Sequence, residues 1–281
     1  MFKQRLITAL ILAPIMIGGI FFLPFPQFMI FIAAIAALGA WEWANLSGLT
    51  NQLARVAYAG VVVAIIYGLY HFTLEQDPEI LYGAFVWWLL AFILVKTHPK
   101  LLGVWGSQAA RLLIGIIVIV PMWVGFVQLN SYPGGLNTYF IVYVMFLIWG
   151  ADVGAYFAGR AFGKNKLAPK VSPGKSWEGV YGGFAVTTLM AIGGGFWLQH
   201  KTFQTFDLEQ WVTLFIVTMI VTAVSVVGDL VESMVKRHRG IKDSSNLLPG
   251  HGGIMDRIDS MTSAIPVFAL TLSLVGWDLR L

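Results

Sequence analysis

The sequence predicts an all-α integral membrane protein, a polytopic bundle of about nine transmembrane helices. Hydrophobic residues make up 58% of the 281-residue chain and charged residues only 11%, which is typical of membrane proteins. The apolar residues form continuous runs of about 20 residues, the length that a helix needs to cross a bilayer core of roughly 30 Å. The alternating pattern of outer-membrane strands is missing, which favours helices.

Nine apolar segments follow one another along the chain, at residues 5–24, 27–46, 55–72, 79–95, 110–130, 137–158, 179–199, 209–230 and 258–277. The first follows a short basic start but lacks a small-residue cleavage site, so we interpret it as a retained anchor. Segments one to five have little intramembrane polarity beyond Glu42, whereas segments six to nine carry several carboxylates. We predict one membrane domain over residues 1–281, with N-terminal helices in 1–130 and a catalytic half in 137–281.

The Lys and Arg residues are distributed unevenly between the two sides of this predicted bundle. With nine spans, only Lys201 and Arg280 of the 18 Lys and Arg fall on the side opposite the N-terminus. Positively charged loops are retained in the cytoplasm during insertion, so we expect a cytoplasmic N-terminus. The two most basic loops, residues 159–178 and 231–257, are expected on the same side, where nucleotides are available.

The sequence also excludes several classes of function. The chain has no cysteine, so disulfides, thiolate metal sites and cysteine nucleophiles are excluded. We find no soluble domain in the sequence and expect no nucleic-acid partner. The net charge of +4 would instead attract anionic lipid headgroups to the membrane surface.

Residues 233–259 form a polar stretch in a chain that is otherwise largely apolar. Its charged side chains surround the Gly-His-Gly-Gly turn of residues 250–253, and they are Lys236, Arg237, Arg239, Lys242, Asp243, Asp256, Arg257 and Asp259. Cations of this kind bind phosphates, and hard carboxylate oxygens bind divalent cations. The mixture therefore suggests a site for a phosphorylated ligand and a metal ion.

A polar stripe leads into this stretch from segment eight. Asp229, Glu232, Ser233 and Lys236 lie at i, i+3, i+4 and i+7 and would share one face of a helix. A helix end emerging into water would explain Glu232 and Lys236 as an ordinary ion pair. Asp229 favours a site, because a carboxylate at the end of a long apolar run is costly unless it is paired or bound to a cation.

Asp256 and Asp259 form a second carboxylate pair at the start of segment nine. One acidic residue there would be ordinary helix capping, worth under about 1 kcal/mol. Magnesium commonly uses one or two carboxylates together with water and substrate phosphate oxygens. We therefore predict a magnesium site with Asp229 and Asp256 as the first-choice ligands, although the residues alone do not rank them above Glu232 and Asp259.

The basic residues of the stretch have two interpretations. Lys236, Arg237, Lys242 and Arg257 bracket the carboxylates and would clamp a triphosphate or a lipid phosphate. The alternative is that they only set the membrane topology, which we favour for Arg239. The amides around Gly252 and Gly253 could approach a phosphate closely. For His251 we favour a positional or hydrogen-bonding role over proton transfer.

The other basic loop, residues 159–178, is not a nucleotide-binding P-loop. Only three residues separate Gly159 from Gly163, and Asn165 follows Lys164 where a P-loop has Ser or Thr. Ser172 and Pro173 instead predict a helix start, with Lys175 in the first turn. A helix start favours phosphate binding, but a simple cap before segment seven would look the same.

Two motifs carry a resemblance to a known family. Residues 233–259 read Ser-x-apolar-Lys-Arg, four residues, Lys-Asp, a linker, His-Gly-Gly and Asp-Arg-x-Asp. This pattern resembles the signature of the phosphatidate cytidylyltransferase, or CDP-diacylglycerol synthase, family. A second block of that family is similar to Asp152, Lys164, Ser172, Pro173, Lys175 and Glu178. Val153 departs from it, since a small hydroxyl residue is expected there.

The resemblance implies an enzyme that transfers CMP from CTP to phosphatidate, releasing pyrophosphate, in the bacterial inner membrane and as a homodimer. It implies Mg²⁺ on Asp229 and Asp256, with Glu232 and Asp259 at a second cation site or around the first. The other residues that it implies in catalysis are Lys236, Arg237, Lys242, Asp243, His251 and Arg257. Those that it implies in substrate binding are Asp152, Lys164, Ser172, Lys175, Ser233, Gly252 and Gly253.

Two other classes of protein remain open at this stage. A transporter or channel would also carry intramembrane carboxylates, but these would be spread through the bilayer midplane rather than clustered near one face. A different lipid-nucleotide enzyme is the second alternative, either a CTP-dependent lipid kinase or a CDP-alcohol transferase. A kinase would transfer the γ-phosphate, and the transferase signature Asp-Gly-x-x-Ala-Arg is absent from the sequence.

Overall fold

The computed structural model describes residues 2–72, 78–132 and 135–276. A β-hairpin of strands β1 (Lys166–Ala168) and β2 (Ser172–Ser176) interrupts an otherwise helical chain. The helices of the described chain are α1 (Phe2–Phe22), α2 (Phe25–Leu46), α3 (Gln52–Phe72), α4 (Glu79–Thr97), α5 (Leu102–Trp105), α6 (Gln108–Asn130), α7 (Asn137–Phe162), α8 (Trp177–Thr202), α9 (Leu208–Arg239) and α10 (Met255–Val275).

The structure confirms the predicted class, an all-α polytopic membrane protein. Each of the nine apolar segments of the sequence coincides with a helix, and short α5 is an addition. Within the described ranges, eight helices are long and apolar enough to cross a membrane, and the apolar part of α1, Leu10–Phe22, is shorter. Large apolar side chains such as Phe146, Leu189 and Phe196 are exposed on the outside of the bundle, as expected for a surface that faces lipid.

Helix α10 lies at the centre of the bundle. It packs against α9, α6, α4, α7 and α2, and its residues Ala264, Ile265 and Val267 are fully buried. Its first turn, which carries Asp256, is therefore surrounded by other helices. The long helix α9 packs along it and continues beyond the predicted end of segment eight, to Arg239.

The connections that are rich in basic residues meet at one end of the bundle, which we call the charged end. Arg239 at the end of α9 donates a hydrogen bond from Nε to the carbonyl oxygen of Asn45 at the end of α2, at 3.2 Å. The ammonium of Lys96 in α4 lies 5.2 Å from the ring centre of Trp177, which begins α8. These contacts bring the ends of α2, α4 and α9 and the start of α8 together at the charged end. Arg280 lies outside the described residues.

The predicted helix start at Ser172 and Pro173 is wrong. These residues belong to β2, which pairs antiparallel with β1, and α8 begins at Trp177. The cap is Ser176, whose hydroxyl oxygen accepts a hydrogen bond from the Gly179 amide at 3.2 Å. Cross-strand pairing with residues 166–168 keeps the segment extended, and the sequence near Ser172 does not reveal that pairing. Lys175 therefore projects from a strand.

Candidate active site

Four carboxylates gather where α9 and α10 pack together at the charged end. Asp229 and Glu232 belong to α9, whereas Asp256 and Asp259 belong to the first turns of α10. The helices approach closely at Gly228, where a side chain would collide with the backbone oxygen of Asp259. The two acidic pairs that the sequence predicted separately thus face each other across one helix contact.

Lys236 joins the two helices through two buried ion pairs. Its ammonium lies 2.5 Å from Glu232 Oε2 and 2.6 Å from Asp256 Oδ1. The exposed fraction is 1% for the Glu232 side chain and 9% for that of Asp256, so all three groups have lost most of their hydration. In such surroundings, charges persist only when they are paired. Lys236 is therefore a central group of the cluster rather than a solvated helix end.

Lys175 brings the β-hairpin to the same cluster. Its ammonium lies 2.7 Å from Asp229 Oδ2, and the hydroxyl of Ser233 donates to Asp229 Oδ1 at 3.1 Å. Arg237 adds a second link, because its Nε donates to the carbonyl oxygen of Val171 at 3.3 Å. The two basic loops of the sequence thus belong to one site.

Asp256 uses one carboxylate oxygen to hold the loop between α9 and α10. Oδ2 accepts hydrogen bonds from the Ser244 amide and hydroxyl, both at 2.9 Å, and from the Gly253 amide at 2.7 Å. Three donors saturate that oxygen, so Oδ1, which contacts Lys236, is the oxygen left for other partners. The sequence suggested that the amides around Gly252 and Gly253 could approach a phosphate. The Gly253 amide already donates to Asp256 within the loop, so it is not available for that role.

Glu42 is the site residue that sequence reasoning missed. It lies in α2, its side chain is fully buried, and its carboxylate accepts hydrogen bonds from the Ser244 hydroxyl and the Met255 amide at 2.9 and 2.7 Å. One indication of this role is present in the sequence, which is that Glu42 is a charged residue within an apolar segment. Nothing in the sequence identified the residues that Glu42 contacts.

The remaining predicted residues are arranged around this centre. Arg257 donates twice to the carbonyl oxygen of His251, at 2.8 and 3.1 Å, so it supports the glycine-rich turn. Gly252 forms that turn with a φ of 80°. Lys164, Lys242 and Asp243 are exposed, and Ser172 is half-buried; in the described chain these four side chains have no hydrogen-bond or ion-pair partner.

A cavity of about 210 Å³ lies beside the cluster, between α7, β2, α8 and α9. Asp152 and Lys175 contribute its charged groups, and Asp152 lies within electrostatic range of Asp229. Its other walls include Tyr156, Val180 and Val226. The site therefore combines a charged centre with a largely apolar cavity that is open at the surface of the bundle, where Asp152 and Tyr156 are exposed.

The donor chemistry of the cluster fits a divalent cation. All four carboxylates supply hard oxygens, and Glu232 Oε1 is buried without a hydrogen-bond partner. Over residues 2–72, 78–132 and 135–276, no group of three or more acidic or histidine side chains is arranged to hold a metal ion as it stands. Lys175 and Lys236 contact oxygens that such an ion would use.

The fold and the site define a polytopic membrane protein with a compact charged centre suited to phosphorylated ligands. The family model described as "Cytidylyltransferase family" matches residues 3–275, so the chain belongs to the cytidylyltransferase family. The family resemblance drawn from the two sequence motifs is confirmed, and this family membership identifies the chain as an enzyme.

The chain is similar to curated proteins named phosphatidate cytidylyltransferase. The chain is 50% identical over 277 residues to the protein of Pseudomonas aeruginosa, covering 99% of both chains. It is 40% identical over 287 residues to that of Haemophilus influenzae, covering 96% of this chain and 98% of the relative. It is 31% identical over 287 residues to that of Brucella suis, covering 95% and 92%.

Proposed function

We propose that this protein transfers CMP from CTP to phosphatidate, forming CDP-diacylglycerol and pyrophosphate. The observation that carries the proposal is the charged cluster at the α9–α10 contact, joined through Lys175 to the cavity between α7, β2, α8 and α9. The full-length similarity to proteins named phosphatidate cytidylyltransferase supports the same reaction. A lipid substrate also explains why a nucleotide-using site lies at one end of a membrane bundle.

In the proposed reaction, a phosphate oxygen of phosphatidate attacks the α-phosphorus of CTP. A new P–O bond forms while the bond to the β-phosphate oxygen breaks, and pyrophosphate leaves. Such transfers need little covalent participation by protein, so positioning and charge neutralisation supply most of the catalysis. The nucleophile is already an anion, so we assign no general base, and His251 keeps a positional role.

We assign the phosphate-binding work to the basic side chains. Lys236 is held between two carboxylates and Lys175 is paired with Asp229, and substrate phosphates would compete with those carboxylates for the ammonium groups. Lys164 and Lys242 are exposed and have no partner in the part of the chain that the structure describes, which supports a role in holding phosphate oxygens. Arg237 and Arg257 donate to carbonyl oxygens and would keep the loops in place.

We further propose that Mg²⁺ binds at Asp229 and Asp256, with Glu232 and Asp259 beside it or at a second cation site. When bound, the ion would neutralise charge on the triphosphate. Asp256 would offer Oδ1, because three hydrogen bonds already occupy Oδ2. The unpartnered Oε1 of Glu232 supports a cation nearby.

We assign the headgroup end of the lipid to the cavity between α7, α8 and α9, with the acyl chains extending from it into the bilayer. The apolar wall residues of the cavity favour hydrocarbon, whereas Asp152 and Lys175 lie where the polar headgroup would enter.

We propose that this end of the bundle is cytoplasmic, in the inner membrane of a bacterium, because basic loops are retained on that side and the relatives are bacterial. On the family resemblance we also propose a homodimer, which light scattering of the detergent complex would test.

The proposed reaction is tested with purified protein in mixed micelles containing phosphatidate and α-labelled CTP. We expect label in the lipid and an equal amount of pyrophosphate, and both only with Mg²⁺. A parallel assay with γ-labelled CTP separates this activity from a lipid kinase, which would label the lipid from that position. No labelled lipid from a folded, monodisperse sample would contradict the proposal, and ion flux in liposomes would then support the transporter alternative.

A further inference from the structure

Glu42 brings a carboxylate from the N-terminal half of the chain into the middle of the charged loop. Besides Ser244 and Met255, it accepts hydrogen bonds from the Ser245 hydroxyl at 2.6 Å and the Ile254 amide at 3.0 Å. Each carboxylate oxygen thus accepts one serine hydroxyl and one backbone amide. Three donors, and the Ser244 hydroxyl as a fourth that Glu42 shares with Asp256, compensate for the lost hydration of a fully buried carboxylate.

Two of these donors are the amide of the N-cap residue and the first amide of α10. A helix start leaves such amides without partners in the helix, and Ile254 at the N-cap position makes no side-chain capping bond. Glu42 caps α10 from a different helix, and the positive end of the helix dipole favours a carboxylate there. The first turn of α10 is therefore fixed to α2 rather than to its own preceding residues.

Ser244 connects this cap to Asp256. Its hydroxyl oxygen lies 2.9 Å from Glu42 Oε2 and 2.9 Å from Asp256 Oδ2. One hydroxyl hydrogen is shared between the two carboxylates, so moving Glu42 changes the donors of Asp256. The contact also explains Gly253, because a side chain at that position would collide with the Glu42 carboxylate and the Ser244 hydroxyl.

From these contacts we infer that Glu42 is a positioning residue for the cytidylyl-transfer site: it holds the loop of residues 244–255 and the start of α10, and thereby sets the position of Asp256. The inference rests on the proposed function. Glu42 acts through Ser244 and the backbone and needs no contact with substrate. Its partners lie 202 to 213 positions further along the chain, so it couples α2 to the motif that contains Asp256.

The variant Glu42→Gln tests this role with almost no change in shape. Glutamine keeps one accepting oxygen and places an NH₂ group opposite an amide that also donates, so at least one hydrogen bond is lost. Residues that orient metal ligands typically change metal affinity or activity by about 10- to 100-fold. We expect a loss of that size in kcat together with a raised half-saturating Mg²⁺ concentration.

A KM readout separates positioning from general damage. The cavity assigned to the lipid is lined by residues of α7, β2, α8 and α9, and Glu42 does not contribute to it. The KM for phosphatidate should therefore stay within about twofold of the wild-type value, because the positioning contacts act at Asp256. Glu42→Asp, which keeps the charge, should restore part of the activity. The matched control is Glu209→Gln, an exposed residue at the start of α9, which should leave all parameters unchanged.

Hydrogen exchange provides a measurement that does not depend on activity. In metal-free protein, Glu42→Gln should accelerate amide exchange in peptides covering residues 244–256, with α6 unchanged. If Glu42→Gln does not fold, the same measurements are made on Ser245→Ala, which removes one of the hydrogen-bond donors to Glu42. Faster amide exchange confined to residues 244–256, together with a higher Mg²⁺ requirement, would support the inference.

The inference is overturned if residues 244–256 exchange at the wild-type rate in folded Glu42→Gln. The same result in Ser245→Ala overturns it if Glu42→Gln does not fold. An activity loss with an unchanged Mg²⁺ requirement and faster exchange throughout the protein also overturns it. If wild-type protein transfers no CMP, the proposed function fails while the exchange comparison still decides whether Glu42 holds the loop.

Discussion

Replacing Lys236 by methionine tests whether the buried charge cluster is held together by one ammonium group. The variant leaves Glu232 and Asp256 as buried carboxylates without their common cation. Removing one partner of a buried ion pair typically costs about 3–5 kcal/mol. At roughly 2–4 °C per kcal/mol, the apparent melting temperature in detergent should fall by at least about 6 °C.

The assay is thermal unfolding followed by intrinsic fluorescence, with two comparison variants. Lys100→Met removes an exposed lysine and should melt within about 1 °C of wild type, since exposed substitutions usually have small effects. Adding Glu232→Gln to Lys236→Met removes one of the unpaired carboxylates and should recover a large part of the loss. A Lys236→Met protein that melts like wild type would refute the reasoning, because its carboxylates would then need no cation.

Three further predictions concern the site. Gly253→Ala should lower both melting temperature and activity, because the added methyl group collides with Glu42; unchanged values would contradict that contact. Asp229→Asn should abolish Mg²⁺-dependent turnover while the protein stays folded, measured by Mg²⁺ titration beside size-exclusion chromatography; full activity would remove Asp229 from the metal site. Lys175→Ala should raise the KM for substrate by about tenfold or more. Unchanged kinetics would indicate that the basic residues of loop 159–178 only set the membrane topology.

The helices of this protein could be predicted because their cause is local. Each span needs about 20 consecutive apolar residues, and that requirement is visible in the sequence without knowledge of any contact. The same holds for the stripe on α9, because Asp229, Glu232 and Lys236 share a face by helical periodicity alone. The i,i+4 approach of Lys236 to Glu232 is an example that the structure confirms.

Errors and omissions arose where a distant partner decides the conformation. Ser172 and Pro173 have the local features of a helix start, but pairing with residues 166–168 makes them a strand. Glu178 is another example, since its carboxylate accepts hydrogen bonds from the amides of Lys164 and Asn165, each at 3.2 Å. Neither pairing has a local sequence pattern that would predict it.

The sequence by itself determined the class of protein, the approximate helices and the two charged segments that belong to the site. Only the tertiary structure decided how those segments meet: Lys175 beside Asp229, Lys236 between two helices and Glu42 within the loop before α10. Helix formation in a membrane depends on the hydrophobicity and backbone hydrogen bonds of a single segment. The partner of a buried charge depends on which helices pack together, and these contacts join residues up to 213 positions apart.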